Sequence, residues 1–196
     1  MRIHEGLVVR REQHLARAAV AAAHFGFRWD PTAAGRALDE AVAAHPAGVW
    51  RLRLLVAESG TPTTMCTEHA DDERVWRVGF APEPVDSSDD ALRHKTTRRD
   101  LYNRARATRP DLDDVLLWNE RGEVTESTIA NVVAEIDDNW DTPPLACGLL
   151  PGVFRAAVLE ANMVRERVIT RNDLRRATRV WLINSLREWV KATLVP

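Results

Sequence analysis

Lysine is rare in this chain. Among its 27 basic residues only Lys95 and Lys191 are lysines, and Lys191 lies close to the C-terminus. A lysine amine sheds its proton far more readily than a guanidinium, so it can act as a nucleophile and a proton carrier. Lys95 stands in the stretch Arg93-His94-Lys95-Thr96-Thr97-Arg98-Arg99-Asp100-Leu101-Tyr102-Asn103-Arg104-Ala105. Three further stretches carry polar groups in suggestive places. They are Gly122-Glu123-Val124-Thr125-Glu126-Ser127-Thr128-Ile129-Ala130-Asn131-Val132, then Leu149-Leu150-Pro151-Gly152-Val153-Phe154-Arg155, then Ile183-Asn184-Ser185-Leu186. Other chemistries lack their signatures. The chain has no Gly-x-Gly-x-x-Gly, no phosphate loop ending in Gly-Lys-Ser/Thr, no Gly-x-Ser-x-Gly and no His-Glu-x-x-His. The six histidines are scattered, and His14 reads as a structural or surface residue. Cys66 and Cys147 are far apart and in no metal or redox spacing, so no metal site is expected.

Taken in this order, the four stretches resemble the class IV, or fold-type IV, pyridoxal-phosphate enzymes. That group includes branched-chain and D-amino acid aminotransferases and aminodeoxychorismate lyase. The early segment His14-Leu15-Ala16-Arg17, with Phe25-Gly26-Phe27 after it, is similar to the family's first helix. The His94-Lys95-Thr96-Thr97-x-Arg99-x-x-Tyr102 form most resembles the lyase branch. The resemblance implies pyridoxal 5'-phosphate as cofactor, with Lys95 bonded to its aldehyde and acting as the catalytic base. It implies Glu126 at the pyridine nitrogen, where a charge-assisted hydrogen bond keeps the ring protonated. Asn131 would orient Glu126 or a loop. Gly152, Val153 and Phe154 would offer the phosphate a helix start, where backbone N–H groups and the helix dipole favour an anion. Ser185 would add a hydroxyl and Arg17 a planar fork. Leu186 and Tyr102 would meet the substrate. The implied reaction is the conversion of 4-amino-4-deoxychorismate to 4-aminobenzoate and pyruvate. The alternatives are an aminotransferase acting on a branched-chain or D-amino acid, and a catalytically silent binding protein. The branched-chain enzymes place a tyrosine five residues after the lysine, where this chain has Asp100. The family's extra N-terminal segment is also expected to be missing here, leaving a shortened first lobe.

The elements that must position these residues can be read from period and punctuation. An alanine-rich helix is predicted over residues 10–25, stopped by Gly26. A second starts at Asp30-Pro31, aspartate as N-cap and proline at the first helical position. Trp50, Leu52, Leu54 and Val56 alternate with Arg51 and Arg53, which predicts a strand, and strands over 63–69 and 74–80 follow. The proline- and aspartate-rich stretch 83–90 reads as a linker. The boundary is therefore placed between a smaller lobe, 1–85, and a cofactor-binding lobe, 86–196. In the second lobe a helix is predicted over 98–108 and a hairpin around Asn119–Gly122. Strands are predicted over 131–136, 164–170 and 179–183, and helices over 152–162 and from Asn172. The fold class is α/β (α+β), two-lobed and D-amino acid aminotransferase-like.

Composition narrows the partners. With 29 % charged residues, a net charge of −2 and no segregated basic face, the chain does not read as a nucleic-acid binder. No apolar run approaches the ~20 residues that cross a membrane, and the first residues hold no signal-peptide core. A cytoplasmic protein with a small-molecule substrate is expected, and the resemblance implies a homodimer.

Overall fold

The N-terminal elements follow from the capping residues and from hydrophobic period. A computed structural model of the protein describes residues 1–71 and 73–196. They form two compact units, Met1–Asp72 and Glu73–Pro196. In the first unit β1 (Arg2–His4), β2 (Leu7–Val8), α1 (Arg11–His24), α2 (Pro31–Ala43), β3 (Val49–Val56) and β4 (Pro62–Glu68) succeed one another. The strands pair antiparallel in the order β2-β1-β3-β4. Asp30 caps α2 by accepting from the Ala33 N–H at 2.9 Å, with Pro31 at the first helical position. Leu38 and Ala41 of α2 pack on Ile3 and Leu52, which forms the unit's core.

The second unit continues with β5 (Trp76–Phe80), α3 (Asp100–Ala107), β6 (Asp114–Trp118), β7 (Val124–Ser127), β8 (Asn131–Ile136) and β9 (Asn139–Thr142). Then come α4 (Val153–Glu160), β10 (Arg165–Glu166), α5 (Arg171–Arg176), β11 (Arg179–Asn184) and β12 (Glu188–Leu194). Among the described residues, the strand order is β10-β9-β8-β11-β12-β5-β6-β7, and β7 pairs back onto β8. The run from β8 through β11, β12, β5 and β6 to β7 therefore closes on itself. Closure leaves those strands without open edges and fixes the two ends of the β7–β8 turn.

Period-2 alternation sorts the side chains into layers. Val132, Ala134 and Ile136 of β8 join Val180 and Leu182 of β11 and Leu116 of β6 in one core. Val133, Trp181 and Ile183, one residue out of phase, pack instead with Phe154 and Val158 of α4. Val115 and Leu117 of β6 pack with Tyr102 of α3, Leu92 and Val85. Strands buried on both faces read as near-continuous apolar runs, as β8 does.

Several details differ from the sequence reading. The boundary was expected at residue 85, but β5 pairs in parallel with β12 and β6 of the second unit. The aspartates of the expected linker serve turns inside that unit. Asp86 accepts from Ser88, Asp89 accepts from the Ala91 N–H, and Val85 bridges to Asn119. The strand expected over 164–170 is only the short β10. Beyond it Ile169 enters the core and Thr170 opens α5 with a capping box to Asp173. Strands β1, β2, β9 and β12 were not foreseen.

His14 lies on α1 and is buried. Burial, reinforced by the positive charges of the chain's amino terminus, Arg17 and Arg10, pulls its pKa down to about 3. The unfolded chain would take up a proton near 6.5 and the folded one would not. The stability due to neutral His14 is therefore present above 6.5 and lost as pH falls toward 3, by at most roughly 1.4 kcal/mol per pH unit. Denaturant unfolding of the parent should weaken between pH 7 and pH 5, and His14→Gln should flatten that fall. An unchanged slope in the variant would show that other groups set the acid limb.

Candidate active site

The site grows from the tight turn between β7 and β8. Glu126 and Asn131 face each other across the two strands. The turn is tied by the Ser127 N–H to the Ala130 carbonyl at 2.7 Å, and the Ser127 hydroxyl accepts from the Ala130 N–H at 3.0 Å. Thr128 is anchored by its hydroxyl to the buried carboxylate of Asp114 and by its N–H to the Val115 carbonyl. Such a turn has little freedom, so the residues at its two ends are fixed.

Glu126 is 3 % exposed. The Tyr102 hydroxyl donates to its Oε1 at 2.8 Å, and the Asn131 side-chain amide donates to its Oε2 at 3.3 Å. Burial raises its pKa to about 7. The Tyr102 hydrogen bond, the nearby charges of Lys95 and Arg99 and the backbone of Leu150 oppose that rise without cancelling it. A carboxyl set this way holds or releases a proton close to neutral pH. Tyr102 is pushed up as well, first by burial and then by the neighbouring carboxylate, so it stays protonated and donates to Glu126.

Lys95 is exposed in the loop before α3, and its charge acts on Glu126. Arg99 stands at the N-cap of α3, where a cation is unfavourable beside the helix dipole. Its guanidinium reaches away, donating to the Thr128 carbonyl at 2.7 Å and lying 4.9 Å over the Tyr102 ring. The sequence reading quoted Arg99 but gave it no duty. An arginine at the wrong end of a helix was the available signal. The reading assigned Tyr102 to the substrate. In the structure its hydroxyl is engaged with Glu126.

Asn131 also reaches the start of α4. Its amide donates to the Leu150 carbonyl at 3.0 Å. A Cβ placed on Gly152 would lie 2.0 Å from Asn131 Oδ1. The backbone of Gly152 is ordinary extended chain, φ −67° and ψ 134°, so steric room and not conformational freedom requires glycine here. Val153 and Phe154 open α4, and Gly152 at its N-cap offers no side-chain cap. On the other side of the turn Ser185 follows β11, and the Asn184 side chain donates to the Ile129 carbonyl. The Ser185 hydroxyl is buried and has no hydrogen-bond partner among the described residues, and Leu186 follows it with its N–H on Asn184 Oδ1 at 2.9 Å. A buried unpaired hydroxyl costs free energy unless something completes it.

Glu126, Asn131, Gly152, Tyr102 and Lys95 are thus joined through one carboxylate, and Ser185 lies just past the strand that pairs with Asn131. Arg17 is a half-buried residue of α1 in the first unit. Arg99, Thr128 and Asn184 are the additions that only the structure supplies.

The profile of the amino-transferase class IV family matches residues 1–195. A provisionally named aminodeoxychorismate lyase of Schizosaccharomyces pombe is 37 % identical over 109 residues, covering 52 % of this chain and 47 % of that protein. The chain thus spans about half the length of this relative. A provisionally named amino-acid aminotransferase from Mesorhizobium loti superimposes with a TM-score of 0.93 at 39 % identity, covering 100 % of this chain and 97 % of that one. A hypothetical aminotransferase from Mycobacterium tuberculosis, in its PLP-bound form, shares the fold with a TM-score of 0.83 at 23 % identity, covering 98 % and 78 % of the two chains.

Two substitutions separate the contacts at the helix start. Gly152→Ala forces Asn131 aside and should cost about 1–3 kcal/mol of stability. Ser185→Ala removes a hydroxyl that has no partner, so the cofactor-free protein should unfold at the same or slightly higher denaturant concentration. The reverse order of effects in denaturant titrations would contradict this geometry.

Proposed function

The chain belongs to the class IV aminotransferase family, and from that premise we propose that it is a pyridoxal-phosphate lyase converting 4-amino-4-deoxychorismate to 4-aminobenzoate and pyruvate. The observation that carries the cofactor reading is the buried Glu126 carboxylate, felt by Lys95 and bonded to Asn131, beside a helix start that admits only glycine. The residues fit the group. A carboxylate suits a pyridine nitrogen, and a helix start with the unpartnered Ser185 hydroxyl suits a phosphate.

When bound, pyridoxal phosphate supplies an aldehyde that condenses with amines and a ring that accepts an electron pair. Lys95 would be the residue that holds the cofactor's aldehyde. The Lys95 amine would take the substrate's ring proton as the ring carbon–oxygen bond breaks and enolpyruvate leaves, making the product ring aromatic, and would return that proton to enolpyruvate to give pyruvate. Glu126 would face the pyridine nitrogen and favour its protonated form. Gly152, Val153, Phe154 and Ser185 would hold the phosphate. Leu186 lines the substrate side. Tyr102 was first placed there too, and its bond to Glu126 favours a different duty, argued below. The proposal includes a homodimer, on the strength of the family resemblance, and a cytoplasmic location. No helix among the described residues is long and apolar enough to cross a membrane.

The lyase reading is supported by the Lys95-Thr96-Thr97-x-Arg99-x-x-Tyr102 form, by Asp100 in place of a tyrosine, and by the name of the Schizosaccharomyces relative. A transaminase is the second reading, favoured by the name of the Mesorhizobium protein and its similarity over the whole chain. The two differ in what they need. A lyase regenerates its starting form in every cycle, whereas a transaminase stalls until a keto acid accepts the amino group.

Purified protein loaded with pyridoxal phosphate should carry it on the Lys95 peptide after borohydride reduction. It should release 4-aminobenzoate and pyruvate in equal amounts without 2-oxoglutarate. Amino transfer from valine, leucine or a D-amino acid, with no 4-aminobenzoate, would establish the transaminase instead. A loaded protein that performs neither reaction would be a silent member of the family.

A further inference from the structure

The mechanism above leaves one group at its centre unused. Tyr102 is the only tyrosine in the chain. Its ring is packed among Ala81, Val85, Leu92, Val115 and Leu117, and the Arg99 guanidinium lies over it at 4.9 Å. Its hydroxyl donates to Glu126 Oε1, 2.8 Å away. A buried tyrosine can satisfy its hydroxyl with any carbonyl. Here it is spent on the one carboxylate to which the site's chemistry is assigned.

We propose that Tyr102 is a positioning residue: its hydroxyl clamps one oxygen of Glu126 and so fixes the direction and the charge of the carboxylate presented to the pyridine nitrogen. This rests on the reading of Glu126 given above. Four other groups share the task unequally. Asn131 contacts the other oxygen at 3.3 Å, a longer bond, and divides its amide with the Leu150 carbonyl. The charges of Lys95 and Arg99 also act on Glu126, and in the proposed reaction Lys95 gives up its proton. The Leu150 backbone adds a further contact; the Tyr102 bond, at 2.8 Å, is shorter than the Asn131 bond, and Tyr102 has no part in the proposed proton transfer. Around Tyr102 itself the charged neighbours are Glu126, Arg99 and Asp89. Arg99 becomes part of the device, since it pins the ring that aims the hydroxyl and ties it to the β7–β8 turn at Thr128.

The effect has a definite sign. Burial raises the pKa of Glu126 and the Tyr102 bond lowers it. Loss of the hydroxyl therefore moves Glu126 further up, leaving it neutral at a pH where it was ionised. A neutral carboxyl no longer favours a protonated ring.

Because there is one tyrosine, growth on 3-fluorotyrosine labels only position 102. Tyr102 stays protonated, so its fluorine signal in the cofactor-free protein should report Glu126. It should show one transition near neutral pH, and that transition should vanish in Glu126→Gln. In the loaded enzyme Tyr102→Phe keeps the ring and its packing. The acid limb of its kcat profile should move up by about one pH unit, the scale of a lost hydrogen bond to a buried carboxylate. A fluorine signal flat from about pH 5 to pH 9, or a transition that persists in Glu126→Gln, would overturn the proposal without needing any variant of Tyr102 to fold. So would a folded Tyr102→Phe enzyme with an unmoved acid limb. Failure of the underlying reading looks different. Glu126→Gln would then turn over like the parent while the fluorine signal still followed the carboxylate, and that result overturns both.

Discussion

A carboxylate taken out of water is expensive unless donors surround it, and the second unit is arranged around one such carboxylate. Glu126 is fully enclosed, yet Tyr102 and Asn131 give each of its oxygens a donor. Each donor comes from a different element. Tyr102 arrives on α3, Asn131 on β8, and the Leu150 backbone from the segment before α4. Satisfying one charge thus brings a helix, a hairpin and a helix start to one point. The same charge explains why Gly152 must be glycine, since Asn131 turned toward Glu126 leaves no space for a Cβ.

The closed strand run makes this arrangement rigid. Strands β7 and β8 pair with each other and with β6 and β11, so the turn between them cannot slide without breaking ladders on both sides. Alternation does the rest. On β8 Val132 and Ala134 fill one core while Val133 packs under α4 with Phe154. A one-residue slip would exchange these faces, and with them the direction of Asn131. The register that builds the core is therefore the register that aims the site.

Much of this was legible in the residues. The Asp30-Pro31 cap, the β3 alternation, the Asn119–Gly122 turn and the apolar run of β8 carry local signals that tertiary packing did not override. Strand β12 carries the same kind of signal, Val190, Ala192 and Leu194 in alternation, yet it lies at the chain end and was passed over. The boundary was misplaced because prolines and aspartates look alike in a linker and in turns folded within a unit. The family's motif order named the candidate residues, and the fold brings Tyr102, Glu126 and Asn131 of that set into contact. Those contacts were not legible. Nothing in the spacing of Tyr102 and Glu126, 24 residues apart, says that the hydroxyl meets the carboxylate. Arg99 is similar: its misfit at a helix N-terminus is visible, but its partners on the β7–β8 turn come only from the fold.

The account stands on Glu126 serving as the anion beside the cofactor's ring nitrogen. The most direct test is the nitrogen chemical shift of pyridoxal phosphate labelled with ¹⁵N in its ring and bound to the protein. The account predicts the shift of a protonated pyridine at neutral pH in the parent, and that of an unprotonated one in Glu126→Gln. A parent spectrum already showing an unprotonated ring nitrogen, or a protonated one that Glu126→Gln leaves unchanged, would contradict it.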